Sequence, residues 1–117
     1  MYKIHLDNLL FFAHHGLHDE EQIAGTHFEV SVQLDFNTEQ PVEKLSQTID
    51  YTEIYKIIQQ HMREPVALLE KLAGKMADTI YEYDNRIHTI YIRIKKLQPP
   101  IANFSGNVSV VITKTYK

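Results

Sequence analysis

Cysteine is absent from the 117 residues, which excludes a disulfide framework, a thiolate metal site and a cysteine nucleophile. No stretch approaches the roughly 20 consecutive apolar residues that a membrane-spanning helix requires. The opening MYKIHLDNLL alternates polar and apolar residues and lacks the charged region, apolar run and small-residue cleavage site of an export signal, so a cytoplasmic location is expected. Clustered basic charge is missing too. Twelve Lys and Arg stand against 15 Asp and Glu, for a net charge of −3, and only Lys95 and Lys96 adjoin. A nucleic-acid surface needs such a cluster to neutralise phosphates, so neither nucleic acid nor a membrane is an expected partner. Repeats, low-complexity tracts and linkers are also lacking, and 44% hydrophobic with 23% charged residues is a globular balance. A single domain spanning 1–117 is expected.

What is present is periodicity. Tyr2, Ile4 and Leu6 alternate with polar neighbours, and after a step at Asp7-Asn8 the run Leu9 to Phe12 is apolar, predicting one strand with a bulge. HFEVSVQLDF from His27 puts Phe28, Val30, Val32, Leu34 and Phe36 on one face, a half-buried strand paired antiparallel with the first. The connection between them, HGLHDEEQIAGT, is longer than a hairpin needs and rich in carboxylates and histidines. Asp50 suits the N-cap of a helix carrying Ile54, Ile57, Ile58 and Met62 until Pro65 interrupts. A second helix follows, with Leu68, Leu69, Leu72, Met76 and Ile80 as its apolar stripe and Gly74 against the pattern. Ile90, Ile92 and Ile94, then Val108, Val110 and Ile112, mark two further strands, so the order is ββααββ. An open antiparallel sheet of four strands leaves two edges, which closing a ring of such sheets would remove.

Several polar residues invite two readings. Glu70 lies within an apolar helical stripe, where it either pairs with a neighbouring lysine or presents a carboxylate to paired N–H donors of a ligand. Lys95 and Lys96 point to opposite faces of a strand, so only one can face a site. Asp19, Glu20 and Glu21 read as a solvated acidic triplet, and Tyr51, next to Thr48 and Asp50, as a packing residue with its hydroxyl in water. His14, His15 and His18 with Glu21 raise a zinc site, but adjacent strand residues face opposite ways and neither HxH nor HExxH occurs, so no metal is expected.

The segments FFAHHGLHDEEQIAG, TIDYTEI, ALLEKLA and IRIKKLQPPI, in this order and spacing, resemble the dihydroneopterin aldolase family over essentially the whole chain. The resemblance implies an α+β tunnelling fold, in which ββααββ subunits with two helices on one face of the sheet form ring barrels. It further implies a homo-octamer of two tetrameric rings with active sites shared between subunits. The activity implied is a lyase of folate biosynthesis, cleaving a pterin substrate by a retro-aldol reaction with no cofactor and no metal. It makes Lys96 the proton relay, Glu21 its neighbour and Glu70 the pterin anchor. The Leu69 backbone contacts the pterin, Thr48 and Asp50 line the pocket, and Tyr51 assists proton transfer in the adjacent subunit's site. His15-Gly16 is implied to end the first strand in a structural role. After Pro99-Pro100 this chain reads Ile-Ala-Asn-Phe where many relatives carry Pro-Gly, and Leu17 and His18 fill positions that vary. Two rivals remain: a dihydroneopterin triphosphate epimerase, for which Lys95, Arg93 and Lys71 are the available cations, and a pterin-binding oligomer without turnover.

Overall fold

The strand carrying Phe28, Val30, Val32, Leu34 and Phe36 is the most deeply buried element, and the rest is arranged around it. In the computed structural model, which describes residues 1–99 and 101–117, four strands form one sheet: β1 (Tyr2–Ala13), β2 (Thr26–Phe36), β3 (Ile87–Leu97) and β4 (Asn107–Thr115). Their spatial order is β1-β2-β3-β4 and every pairing is antiparallel. β2 and β3 take the centre and β1 and β4 are the edges; β2 alternates throughout, whereas β3 has an irregularity opposite Asp35 and Phe36, so that Ile87 and Ile90, three residues apart, are both buried before alternation resumes. Pro100, part of the Pro99-Pro100 motif, lies outside the described residues.

The bulge expected in β1 is present: pairing with β2 shifts between Leu6 and Leu9, and Asn8 takes φ 56°, a left-handed conformation that asparagine tolerates. Its N–H donates to Ser31 Oγ at 3.0 Å. The inserted residue changes the parity of the strand. Ile4 and Leu6 face the core before it, and Leu9, Phe11 and Ala13 after it, while Leu10 and Phe12 turn outward.

Helices α2 (Tyr51–Arg63) and α3 (Leu69–Tyr83) cover the core face. Asp50 caps α2 as expected, accepting from Thr52 N–H at 3.0 Å. Ile54, Ile58 and Met62 recur at four-residue spacing and are buried, and the helix stops just before Pro65. Leu69, Leu72, Ala73, Met76, Ala77 and Ile80 make the buried stripe of α3. Leu68, expected in that stripe, instead precedes the helix and is 51% exposed. Ile90, Ile92 and Ile94 of β3 meet these helices at zero exposure. Each such side chain contributes about 1.5–3 kcal/mol by leaving water, so Ile92→Ala alone costs about 2–5 kcal/mol.

Two short elements were not anticipated, one of them a single 3-10 turn over Leu45–Gln47. The acidic loop contains a six-residue helix, α1 (Asp19–Ala24), with Asp19, Glu20 and Glu21 in its first turn, where carboxylates favour the helix dipole. It buries no residue, so it has no apolar periodicity to announce it. Gly25 ends it at φ 79°, and a Cβ there would meet the Phe12 ring at 2.7 Å. No helix among the described residues is long and apolar enough to cross a membrane.

Candidate active site

Alternation along β3 decides between the two lysines. Lys96 shares the parity of Ile90, Ile92 and Ile94 and turns toward the helix-covered face, whereas Lys95 emerges on the opposite face beside Glu29, 3.7 Å away. Lys96 Nζ donates to Glu21 Oε2 at 2.5 Å, and the two side chains are only 12% and 9% exposed. Residues 75 apart in the chain meet because the turn after β1 folds α1 over the end of the β2–β3 pair, where Phe28 lies opposite Lys96. Burial pushes the Glu21 carboxyl up, but the hydrogen bond and charge of Lys96 outweigh it and hold the carboxyl below its ordinary value. Lys96 Nζ also stands 5.8 Å over the Phe28 ring.

The pair lines a cavity of about 800 Å³ together with Leu69 and Glu70, at the N-terminus of α3. Four of the seven expected site residues thus share one space. Leu17, His18, Leu68, Ile101 and Val108 add a largely apolar wall. Ile101 belongs to the loop that departs from the family pattern, and it reaches this cavity.

Thr48, Asp50 and Tyr51 do not reach that cavity. They line a separate hollow with Ile4 of β1, and Tyr51 with Leu6 and Tyr55 bounds another on the same flank. Tyr51 is 61% exposed. Asp50 Oδ1 is engaged locally, accepting from Thr52 N–H and, at 2.6 Å, from the Thr52 hydroxyl, contacts that keep its carboxyl below the ordinary range. The segment is held by Arg86, which no sequence pattern singles out. Arg86 pairs with Asp84 at 2.6 Å and donates to the carbonyls of Ser46 and Thr48 at 3.0 and 2.9 Å. The turn residues Asp84-Asn85 before it are the only signal.

The two groups therefore flank opposite edges of the sheet, one beside β4 through Val108 and Val110 and the other beside β1. The three histidines considered for zinc are dispersed in role: His15 is fully buried, His14 Nδ1 contacts the Gln22 carbonyl at 3.0 Å, and His18 precedes α1. Among the described residues, no three His, Asp or Glu side chains are grouped to hold an ion.

Comparison with known proteins places this architecture. The family model described as FolB, dihydroneopterin aldolase, matches residues 4–113. Dihydroneopterin aldolases of Bacillus subtilis strain 168 and Streptococcus pyogenes serotype M1 are each 30% identical over 117 residues, covering 97% of this chain and 98% of theirs. Among solved structures, Escherichia coli dihydroneopterin aldolase in complex with neopterin superposes with a TM-score of 0.86 at 18% identity, covering 97% of this chain and 99% of that one. The dihydroneopterin aldolase of Burkholderia thailendensis bound to guanine gives 0.77 at 16% identity, covering 99% and 92%. These two structures share the fold, and the match over nearly the whole length carries the assignment: the chain belongs to the dihydroneopterin aldolase family.

Proposed function

We propose that this chain cleaves 7,8-dihydroneopterin by a retro-aldol reaction into 6-hydroxymethyl-7,8-dihydropterin and glycolaldehyde, a step of folate biosynthesis. The observation that carries this reading is the buried Lys96–Glu21 pair sharing one cavity with Glu70. A carboxylate accepts two hydrogen bonds side by side, and the amino-pyrimidinone edge of a pterin offers two such donors. Neopterin and guanine, bound by the two structural relatives, both carry that edge. Glu70 anchors the ring.

Lys96 acts in its neutral form, its own proton passed to Glu21, and through a water takes the proton of the 2′-hydroxyl as the bond between the side-chain carbons 1′ and 2′ breaks. The electron pair passes into the ring C=N, glycolaldehyde leaves, and the enol that remains is protonated at carbon 1′. The ring itself is the electron sink, so no lysine imine is required. Glu21 orients Lys96 and the water, and Tyr51 serves the protonation step. In a single chain Tyr51 stands at the other edge of the sheet. Joining β4 of one copy to β1 of the next continues the antiparallel order and closes both free edges, supplying Thr48, Asp50 and Tyr51 from the neighbour. Repeated around a ring and stacked once, this is the octamer the family resemblance implies.

The triphosphate epimerase reading needs cations that this cavity does not receive. Arg93 and Lys95 emerge on the opposite sheet face, and Lys71 lies exposed on α3 without lining it. Glu20, Glu21 and Glu70 face the single Lys96 there, a balance suited to an uncharged side chain. The test is incubation with 7,8-dihydroneopterin, and separately with its triphosphate, in the presence of EDTA, with products separated by chromatography. Glycolaldehyde and the hydroxymethyl pterin from the free alcohol are expected. Activity on the triphosphate alone, or only after zinc is restored, would sink the proposal, and binding without turnover would favour the non-catalytic module. Glu70→Ala is expected to weaken pterin affinity by roughly 10- to 100-fold.

A further inference from the structure

His15 is the one buried polar residue among the described residues and takes no part in the chemistry above. Its Nδ1 accepts the Val66 N–H at 3.1 Å, and the next residue, Gly16, donates its own N–H to the Val66 carbonyl, also at 3.1 Å. Both polar backbone groups of Val66 are thus held by two successive residues just after β1. Val66 stands just ahead of α3, whose first turn carries Leu69 and Glu70.

The same dipeptide touches the other arm of the site. The Glu21 side chain packs directly on Gly16, so closely that a Cβ there would lie 2.6 Å from Glu21 Cβ, and the Gly16 carbonyl accepts from Gln22 Nε2 at 2.9 Å. A third link runs through the His15 ring, which packs edge-on against Phe28 with centroids 5.4 Å apart, the ring over which Lys96 stands. Glu70, Glu21 and Lys96 come from three separate elements, and their supports converge on His15-Gly16. An Nδ1 that accepts a hydrogen bond fixes the tautomer with the proton on Nε2. Nε2 is buried with no partner in full hydrogen-bond geometry among the described residues, and the Met62 carbonyl acts on the ring from outside that geometry. Burial, opposed in part by the Met62 carbonyl and aided by the charges of Lys96 and His14, pushes the imidazole down to about 4, which keeps Nδ1 an acceptor.

We infer that His15 is a positioning residue, whose Nδ1 holds the Val66 amide so that the Glu70 anchor stands at a fixed separation from the Lys96–Glu21 pair. The inference rests on the aldolase reading for its consequence in turnover, but not for the clamp itself. Displacing the anchor relative to the pair misplaces the substrate over Lys96, so His15→Leu is expected to lower kcat/KM by roughly tenfold or more. His15→Gln, whose side-chain oxygen can accept from Val66, should recover to within about threefold. Ile58→Val, which thins the core away from the site, is the control for lost stability.

Two measurements on the unaltered protein need no substrate: the tautomer of His15 by nitrogen-15 NMR, and hydrogen exchange of the Val66 amide. An Nε2–H tautomer and a protected Val66 amide are expected. Nδ1 protonation, a rapidly exchanging Val66 amide, wild-type turnover in His15→Leu, or Leu and Gln variants losing turnover only as much as their stability predicts, would each overturn the inference. If the wild-type protein does not cleave the substrate, the aldolase reading fails while tautomer and exchange still judge the clamp.

Discussion

The two halves of the candidate site are built in opposite ways. The Lys96–Glu21 half is complete within one chain: both side chains are nearly buried, they are ion-paired, and the strand register fixes them. The Thr48–Tyr51 half is held by Arg86 at its carbonyls, by the Asp50 cap and by Ile49 buried in the core, but its tyrosine projects into solvent. Charge has to be placed where water is excluded, which a folded interior can do alone. A hydroxyl group works from an exposed helix start, provided that something else brings it to the substrate.

The largest break in this comparison is Lys96→Ala, expected to reduce kcat by roughly 10²- to 10⁴-fold while the anchor at Glu70 keeps much of the substrate affinity. Equal losses in affinity and turnover would show that Lys96 serves binding instead. Mixing sharpens the contrast further. Lys96→Ala and Tyr51→Phe chains, each impaired alone, should regain activity when dissociated and reassembled together, because some interfaces then carry both intact halves. No gain on mixing would mean that each site is drawn from a single chain.

Acid weakens the fold as a whole, since His15 and Glu21 beside one half and Asp50 in the other all have lowered pKa values. The His15 pKa falls from 6.5 to about 4 on folding, so the unfolded chain takes up the proton first. Its contribution is fully present above pH 6.5 and is lost as the pH falls toward 4, on the order of 3 kcal/mol in all. Burial lowers His61 as well, with the same sign. The depressed Glu21 carboxyl adds a loss below about pH 4.5 as its pairing with Lys96 is titrated away. Denaturant midpoints measured from pH 7 to 4 should fall, and less steeply in His15→Gln. The smallest effect expected is a gain. Gly74 lies mid-helix, and the position a methyl group would take there has no neighbouring atom within 4 Å. Gly74→Ala should therefore stabilise by about 0.5–1 kcal/mol in thermal melts and leave both halves unaltered.

The central strands are legible because burying one face of a sheet forces period-two alternation, which β2 shows throughout and β3 shows from Ile90 onward; the irregularity that also buries Ile87 carries no such mark. Helix α1 is not legible, since a helix that buries nothing imposes no pattern. The start of α3 was read early because Leu68 is apolar yet lies outside the helix. Strand alternation told that Lys95 and Lys96 diverge, but not which one meets Glu21; that came from the family resemblance, and the cavity places Lys96, Glu21, Leu69 and Glu70 together. The convergence on His15-Gly16 had no local signature, because it joins residues about fifty positions apart through a backbone amide that every residue but proline possesses.

The bulge at Asn8 absorbs an odd spacing, since Leu6 and Leu9, three residues apart, both face the core, which an unbroken strand forbids. Deleting the extra residue would restore plain alternation with Ile4, Leu6 and Leu9 still turned inward, whereas deleting His5 would send Ile4 into water and Lys3 toward the core. A gene encoding this chain can therefore lose the codon for Asn8 at far less cost than the codon for His5.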